Sequence, residues 1–361
     1  MEKKRESNIE LLRIILMIFI IAHHFVVNSG VMEEFSLQNN PINTLYLAIF
    51  GFAGKIIINV FLIISGYFMI KSKFSSKKFL KLYLEIKFYK IIIYLFFLIF
   101  GITTFNKTEI KKGLFSVVYG TNVYFMETFL LLYLLIPIIN KSIINKKNIQ
   151  YLLIILLFYY SILGTVFDSS IYKIYNEITW YIIIYIVGAY IRLYPKKYDN
   201  NKKMWFCTSL VNILLSVFSV IFILIINNRF NKNINIYYFV NNSNKILAVT
   251  TAISIFMLFK NINIKYNKTI NTIASATFGV LLIHANSDEM RYFLWNKIFN
   301  VKNLFYNKFL VLYSIGIILL VYTICTIIEL LRIKFIEKPF FKKIYKGKVE
   351  ELFERIDNFV N

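Results

Sequence analysis

The sequence predicts an all-α membrane bundle of about ten transmembrane helices with both termini in the cytoplasm. Three observations lead there. Of 361 residues, 58% are hydrophobic and only 17% charged, below the roughly 25% charge of soluble domains. A soluble fold of this size needs a polar coat that the composition does not supply, whereas lipid asks for none. The apolar residues gather into runs near the length, about 20 residues, that spans a bilayer. Lys and Arg, which set the net charge at +23, sit in short clusters between the runs, as the positive-inside pattern requires.

In chain order the runs cover 9–28, 45–70, 82–104, 122–140, 150–167, 178–194, 205–227, 245–260, 269–287 and 308–331. The first follows Lys3, Lys4 and Arg5 as a secretory leader would. No small-residue cleavage pattern follows, and Glu10 and Arg13 lie inside it, so it reads as a retained helix. The second carries Lys55, which snorkels to an interface, and Ser65-Gly66, a pair that allows close helix approach or a break. The eighth and ninth contain Thr, Ser and Ala, which suits helices packed inside a bundle. With the N-terminus placed inside, more than twice as many basic residues lie in or beside inner segments as outer ones. The first outer loop holds Glu33 and Glu34 and no Lys or Arg. Residues 1–335 therefore read as one membrane domain. Residues 336–361 read as a cytoplasmic tail whose apolar positions recur at helical spacing, an amphipathic helix on the inner surface.

These features also exclude functions. Basic clusters between apolar runs fit anionic lipid headgroups, and no nucleic-acid recognition module is visible. Cys207 and Cys325 both lie in apolar runs and form no disulfide framework. The three histidines and two cysteines show no metal-ligand spacing.

The first helix carries the most chemistry. Ionisable groups inside a membrane helix are costly and point to function by default. Arg13 and His24 are eleven residues apart, about three turns, so they share a face roughly 16 Å apart along the axis. Glu10, one turn before Arg13, is placed to pair with it. A two-ended ligand fits this spacing, its phosphate at Arg13 and its reactive end at His24, where neutral imidazole takes a proton from a hydroxyl. An interfacial Arg and a structural His fit it equally well. His23 points about 100° away and reads as a packing or supporting residue. Lys71 and Lys73 follow Ser65-Gly66 at the inner surface, either as topology signals or as a phosphate-binding patch. Other ionisable groups in the spans are Glu85, Lys87, Glu127, Arg192, His284 and the i, i+3 pair Glu329 and Arg332. Structural pairing is the plainer reading of each, with Glu127 the most open to a functional one.

Together the segments SNIELLRIILMIFIIAHHF, GKIIINVFLIISGYFMIKSKF, LYLLIP, YIVGAYIRLYP, AISIFMLF and SATFGVLLIHAN followed by RYFLW resemble the acyltransferase 3 family of integral membrane acyltransferases. More narrowly they resemble its Gram-positive branch associated with surface polysaccharides. The resemblance implies a multi-pass protein of the bacterial plasma membrane. Its donor would be cytoplasmic acyl-coenzyme A, with acetyl the expected acyl group, and its acceptor a hydroxyl of a cell-surface or lipid-linked carbohydrate. His24 matches the family's essential histidine, with Glu127 as a second candidate catalytic group. Arg13 matches the essential arginine at the coenzyme A site, which Ser65, Lys71, Lys73 and Arg192 would complete. Lysines stand where some relatives carry an Arg-rich pair, and Lys is a weaker bidentate phosphate partner. Tyr124 and Phe125 stand where a Trp is usual. Relatives with a fused esterase-like domain carry it after the membrane part, so direct transfer or a separate partner is expected here. Homo-oligomerisation is left open. A polysaccharide or lipid-linked glycan transporter is the alternative, although the matched charged pairs of repeat-built transporters are absent; a membrane scaffold is the third reading.

Overall fold

The computed structural model describes residues 5–107, 125–143, 145–167 and 176–361, and among them every regular element is helical. Tyr124 and the first residues of the 122–140 run lie outside the described residues, as do Lys3 and Lys4. The first expected run is α1 (Ser7–Val27). The second is divided at Gly51–Ala53 into α2 (Pro41–Phe50) and α3 (Gly54–Met69). Then come α4 (Ser76–Ile99), α5 (Phe125–Ser142), α6 (Lys146–Val166), α7 (Glu177–Leu193), α8 (Lys202–Phe230) and α9 (Ile246–Lys260). The ninth run is also divided, at Ala276, into α10 (Lys268–Ser275) and α11 (Thr277–His284). The short α12 (Asp288–Tyr292) leads to α13 (Leu310–Arg332), which runs through a π turn into α14 (Lys338–Ile344). The tail ends in α15 (Lys348–Val360).

Local chemistry sets many of the starts. Ser75, Asn145, Asn176, Asn201 and Asn267 each accept a backbone N–H of the first turn of α4, α6, α7, α8 and α10, as short polar N-caps do. Pro41 opens α2, where its missing N–H costs nothing.

At the centre stands α3, packed on α1, α7 and α9. Two glycines bring α3 and α7 into backbone contact. A Cβ on Gly66 would lie 2.0 Å from the Tyr185 carbonyl oxygen, and one on Gly188 2.2 Å from that of Ile63. Close approach is therefore what Ser65-Gly66 provides. The crossing is pinned by Asn59, which donates to the Ser243 carbonyl at 2.7 Å and accepts from the Trp180 indole at 3.0 Å.

The outward surfaces of α8 and α13 are apolar, with Phe206, Leu214, Phe218, Leu312 and Ile327 all exposed. Lipid tolerates this and water does not. Among the described residues six stretches are long and apolar enough to cross a membrane: α1, α2 with α3, α5, α6, α8, and α13 with α14.

Candidate active site

The break between α2 and α3 and the end of α11 both converge on the last turn of α1. Helix ends leave carbonyls without intrahelical donors. At the α2 end, His23 Nδ1 meets the Gly51 carbonyl at 2.5 Å. The His23 ring lies where a Cβ on Gly54 would be, 2.4 Å away, so only glycine fits there. His23 is thus a strut between α1 and the α2–α3 break, which agrees with the supporting role read from the sequence.

His24 faces the other way. Its Nδ1 lies 3.1 Å from Nε2 of His284, whose Nδ1 lies 2.6 Å from the Val280 carbonyl oxygen. A carbonyl only accepts, so Nδ1 of His284 carries a proton. With His284 neutral, its Nε2 then accepts, and His24 Nδ1 must donate. The lone pair of His24 is left on Nε2, the nitrogen outside the chain of bonds. His284 is buried, at 1% exposure, while His24 is only partly covered, so His24 is the more accessible of the two rings. A base held in one tautomer by a third group is the arrangement that activates hydroxyl nucleophiles. Arg291, on α12 and paired with Asp288, acts electrostatically on both histidines, and Lys55 acts on His24.

The height of His284 is set from below. A Cβ on Gly279 would lie 2.3 Å from the Glu329 carboxyl group, so α11 rests directly on α13. Glu329 in turn belongs to a buried cluster. Arg332 reaches Glu329 and Glu337 at 2.8 Å and Glu85 at 3.5 Å, and Tyr89 donates to Glu329 at 2.7 Å. The pair expected from i, i+3 spacing is thus part of a network that joins α4 to α13. Removing one member of such a buried network leaves an uncompensated charge.

The expected donor-binding residues lie toward the other end of α1. Arg13 pairs with Glu10 at 3.5 Å, and Glu10 also meets Arg5 at 3.6 Å. Beside them opens a cleft of about 420 Å³, lined by Arg5 to Asn8 and by residues around Lys260. Arg192 donates to the Tyr67 hydroxyl at 2.7 Å and stacks on its ring at 4.6 Å. It acts electrostatically on Lys260 of the cleft, though Arg192 itself is not part of the cleft lining. Ser65 spends its hydroxyl proton on the Phe61 carbonyl within its own helix, at 2.9 Å. Lys71 and Lys73 lie exposed on the α3–α4 loop. Glu127 is fully buried and forms an ion pair with Lys90 of α4.

Lys260 and the partnership of His284 with His24 were not singled out from sequence. A signal for the second exists: with ten spanning runs, as the sequence predicts, α1 and the ninth run would share a direction by parity, and both carry His at the same end, hence at one depth.

A family model described as an acyltransferase domain matches residues 6–330. No curated protein and no solved structure matches.

Proposed function

The chain belongs to the acyltransferase 3 family and is a membrane acyltransferase, and on that premise we propose that it moves an acyl group, acetyl in the first instance, from cytoplasmic acyl-coenzyme A to a hydroxyl of a cell-surface or lipid-linked polysaccharide. The observation that carries the reading is the His24–His284 pair, with its free nitrogen on the helix that also bears Arg13.

The steps follow from the geometry. The phosphates of the donor rest against Arg13, Arg192 and Lys260, with Lys71 and Lys73 completing the basic mouth. The pantetheine arm follows α1, over the roughly 16 Å that separates eleven residues of helix, and brings the thioester to His24. His24 Nε2 takes the proton of the acceptor hydroxyl as its oxygen attacks the thioester carbonyl carbon. The imidazolium so formed is stabilised through its Nδ1–H bond to His284. Arg291 and Lys55 offset the charge on the tetrahedral oxygen. Collapse breaks the carbon–sulfur bond, and the departing thiolate takes the proton back from His24. The products are the ester and free coenzyme A, and His24 is again neutral. Glu127 enters the proposal through Lys90, whose charge it balances inside the bundle.

Cells whose own copy is deleted, supplied with the native chain or with His24→Ala at equal protein level, test this. The native chain should restore ester-linked acetate on surface glycan and the variant should not; full acylation with His24→Ala would remove the catalytic assignment.

A further inference from the structure

The family match ends at residue 330, and the tail beyond it is built in a way the acyl-transfer reading does not use. After α14 the chain turns at Gly347, which has φ of +57°, and folds back as α15. One edge of α15 docks on the α3–α4 loop. The Asp357 carboxylate accepts from both the backbone N–H and the hydroxyl of Ser76, at the start of α4. The Asn361 side chain accepts from the Phe74 N–H at 2.7 Å and donates to its carbonyl at 3.1 Å. Tyr345 packs at a tilt against Phe353, ring centroids 5.7 Å apart, and receives the Lys77 ammonium over its ring at 3.6 Å.

The docked edge combines these polar contacts with Val349, Phe353 and Val360, which are partly covered. The apolar stripe beside it, Leu352, Ile356 and Phe359, faces outward at 53%, 39% and 90% exposure. These positions follow i, i+4, i+7 spacing and make one strip along the helix. Charge is sorted around that strip. At 100° per residue, Lys348 and Arg355 fall beside Phe359 on the strip's free edge, whereas Glu350, Glu354 and Asp357 fall on the opposite arc, with Glu351 between the two groups. Lys338, Lys342, Lys343 and Lys346 add further positive charge just before the helix.

We propose that α15 is a membrane-seated clamp: its strip of Leu352, Ile356 and Phe359 lies in the headgroup layer of an anionic leaflet while Asp357 and Asn361 on its docked edge hold the α3–α4 loop. Charge selects the occupant. An apolar strip edged by Lys and Arg, with the acids set farther round the helix, suits anionic headgroups. The tether agrees, since α13 and α14 form one helical stretch that includes a candidate span, and only a three-residue turn separates it from α15.

The test uses the full chain with Cys207→Ser and Cys325→Ala, carrying an environment-sensitive fluorophore at Phe359→Cys, at Leu352→Cys or, as control, at Glu354→Cys. Each is reconstituted in vesicles of phosphatidylcholine with a third phosphatidylglycerol, with and without spin-labelled lipid. Quenching by the spin label should be about threefold stronger or more at 352 and 359 than at 354, and should weaken in pure phosphatidylcholine. Water-like, unquenched emission at both strip positions would overturn the seat. So would shielding that grows with protein-to-lipid ratio without lipid quenching, which would assign the strip to a second copy. Equal quenching in neutral vesicles would overturn the anionic preference.

Discussion

Replacing His284 by Ala should slow turnover without preventing folding or donor binding. The bond at stake is the 3.1 Å contact between His24 Nδ1 and His284 Nε2. In the resting enzyme it joins two neutral rings, worth about 0.5–1.5 kcal/mol, and as His24 gains a proton it becomes charge-assisted, worth about 1.5–3 kcal/mol. Only the difference, about 1–2 kcal/mol, acts on the chemical step. At about 1.4 kcal/mol per decade this is roughly a 5- to 30-fold fall in kcat. Removing the base itself with His24→Ala should cost about 10²- to 10⁴-fold. The two losses should not add, because His284 acts through His24. Steady-state release of free thiol by purified protein gives kcat and KM for each variant, with a thermal melt to show that each is folded. His284→Gln, which keeps an acceptor, should recover part of the loss. Unchanged kcat in folded His284→Ala, or a double variant clearly worse than His24→Ala, would show that His284 does not act through His24.

Three further outcomes follow from the packing. Gly66→Ala or Gly188→Ala places a Cβ against backbone of the facing helix and should destabilise by about 1–3 kcal/mol or more, seen as a lower melting temperature, whereas Gly316→Ala, with nothing near its Cβ, should not. Glu127→Leu should cost about 3–5 kcal/mol by removing the carboxylate that balances Lys90 inside the bundle, and Lys90→Leu with Glu127→Leu should recover much of it; a thermal melt of the single and double variants decides. Arg192→Gln with Lys260→Gln removes two charges from the phosphate end and should raise KM for acyl-coenzyme A about tenfold or more while kcat changes little, and an unchanged KM would remove both residues from the donor site.

Much of the helical framework is legible in the sequence because a membrane helix is written as a long apolar run, and each expected run is helical over most of its described length. The breaks are not legible. Gly51–Ala53 and Ala276 interrupt apolar stretches that contain no proline, and tertiary contacts lie at or near both: His23 meets the Gly51 carbonyl, and Gly279 of α11 lies against Glu329. Arg13 and His24 could be placed on one face because both lie on one helix. His284 and Lys260 could not be placed against them, because sequence gives the depth of a residue in a helix but not which neighbour that helix meets. The pairing of Glu127 with Lys90 was hidden for the same reason. The tail shows the reverse: its apolar spacing announces a helix, while the docking of Asp357 depends on Ser76, 281 residues earlier in the chain.

The most direct measurement is release of coenzyme A by purified protein supplied with acetyl-coenzyme A and cell-surface glycan, comparing the native chain with His24→Ala. Release should require glycan, yield ester-linked acetate on it, and fall to background in the variant. Glycan-dependent release that persists undiminished in folded His24→Ala would contradict the assignment of the chemistry to the first helix.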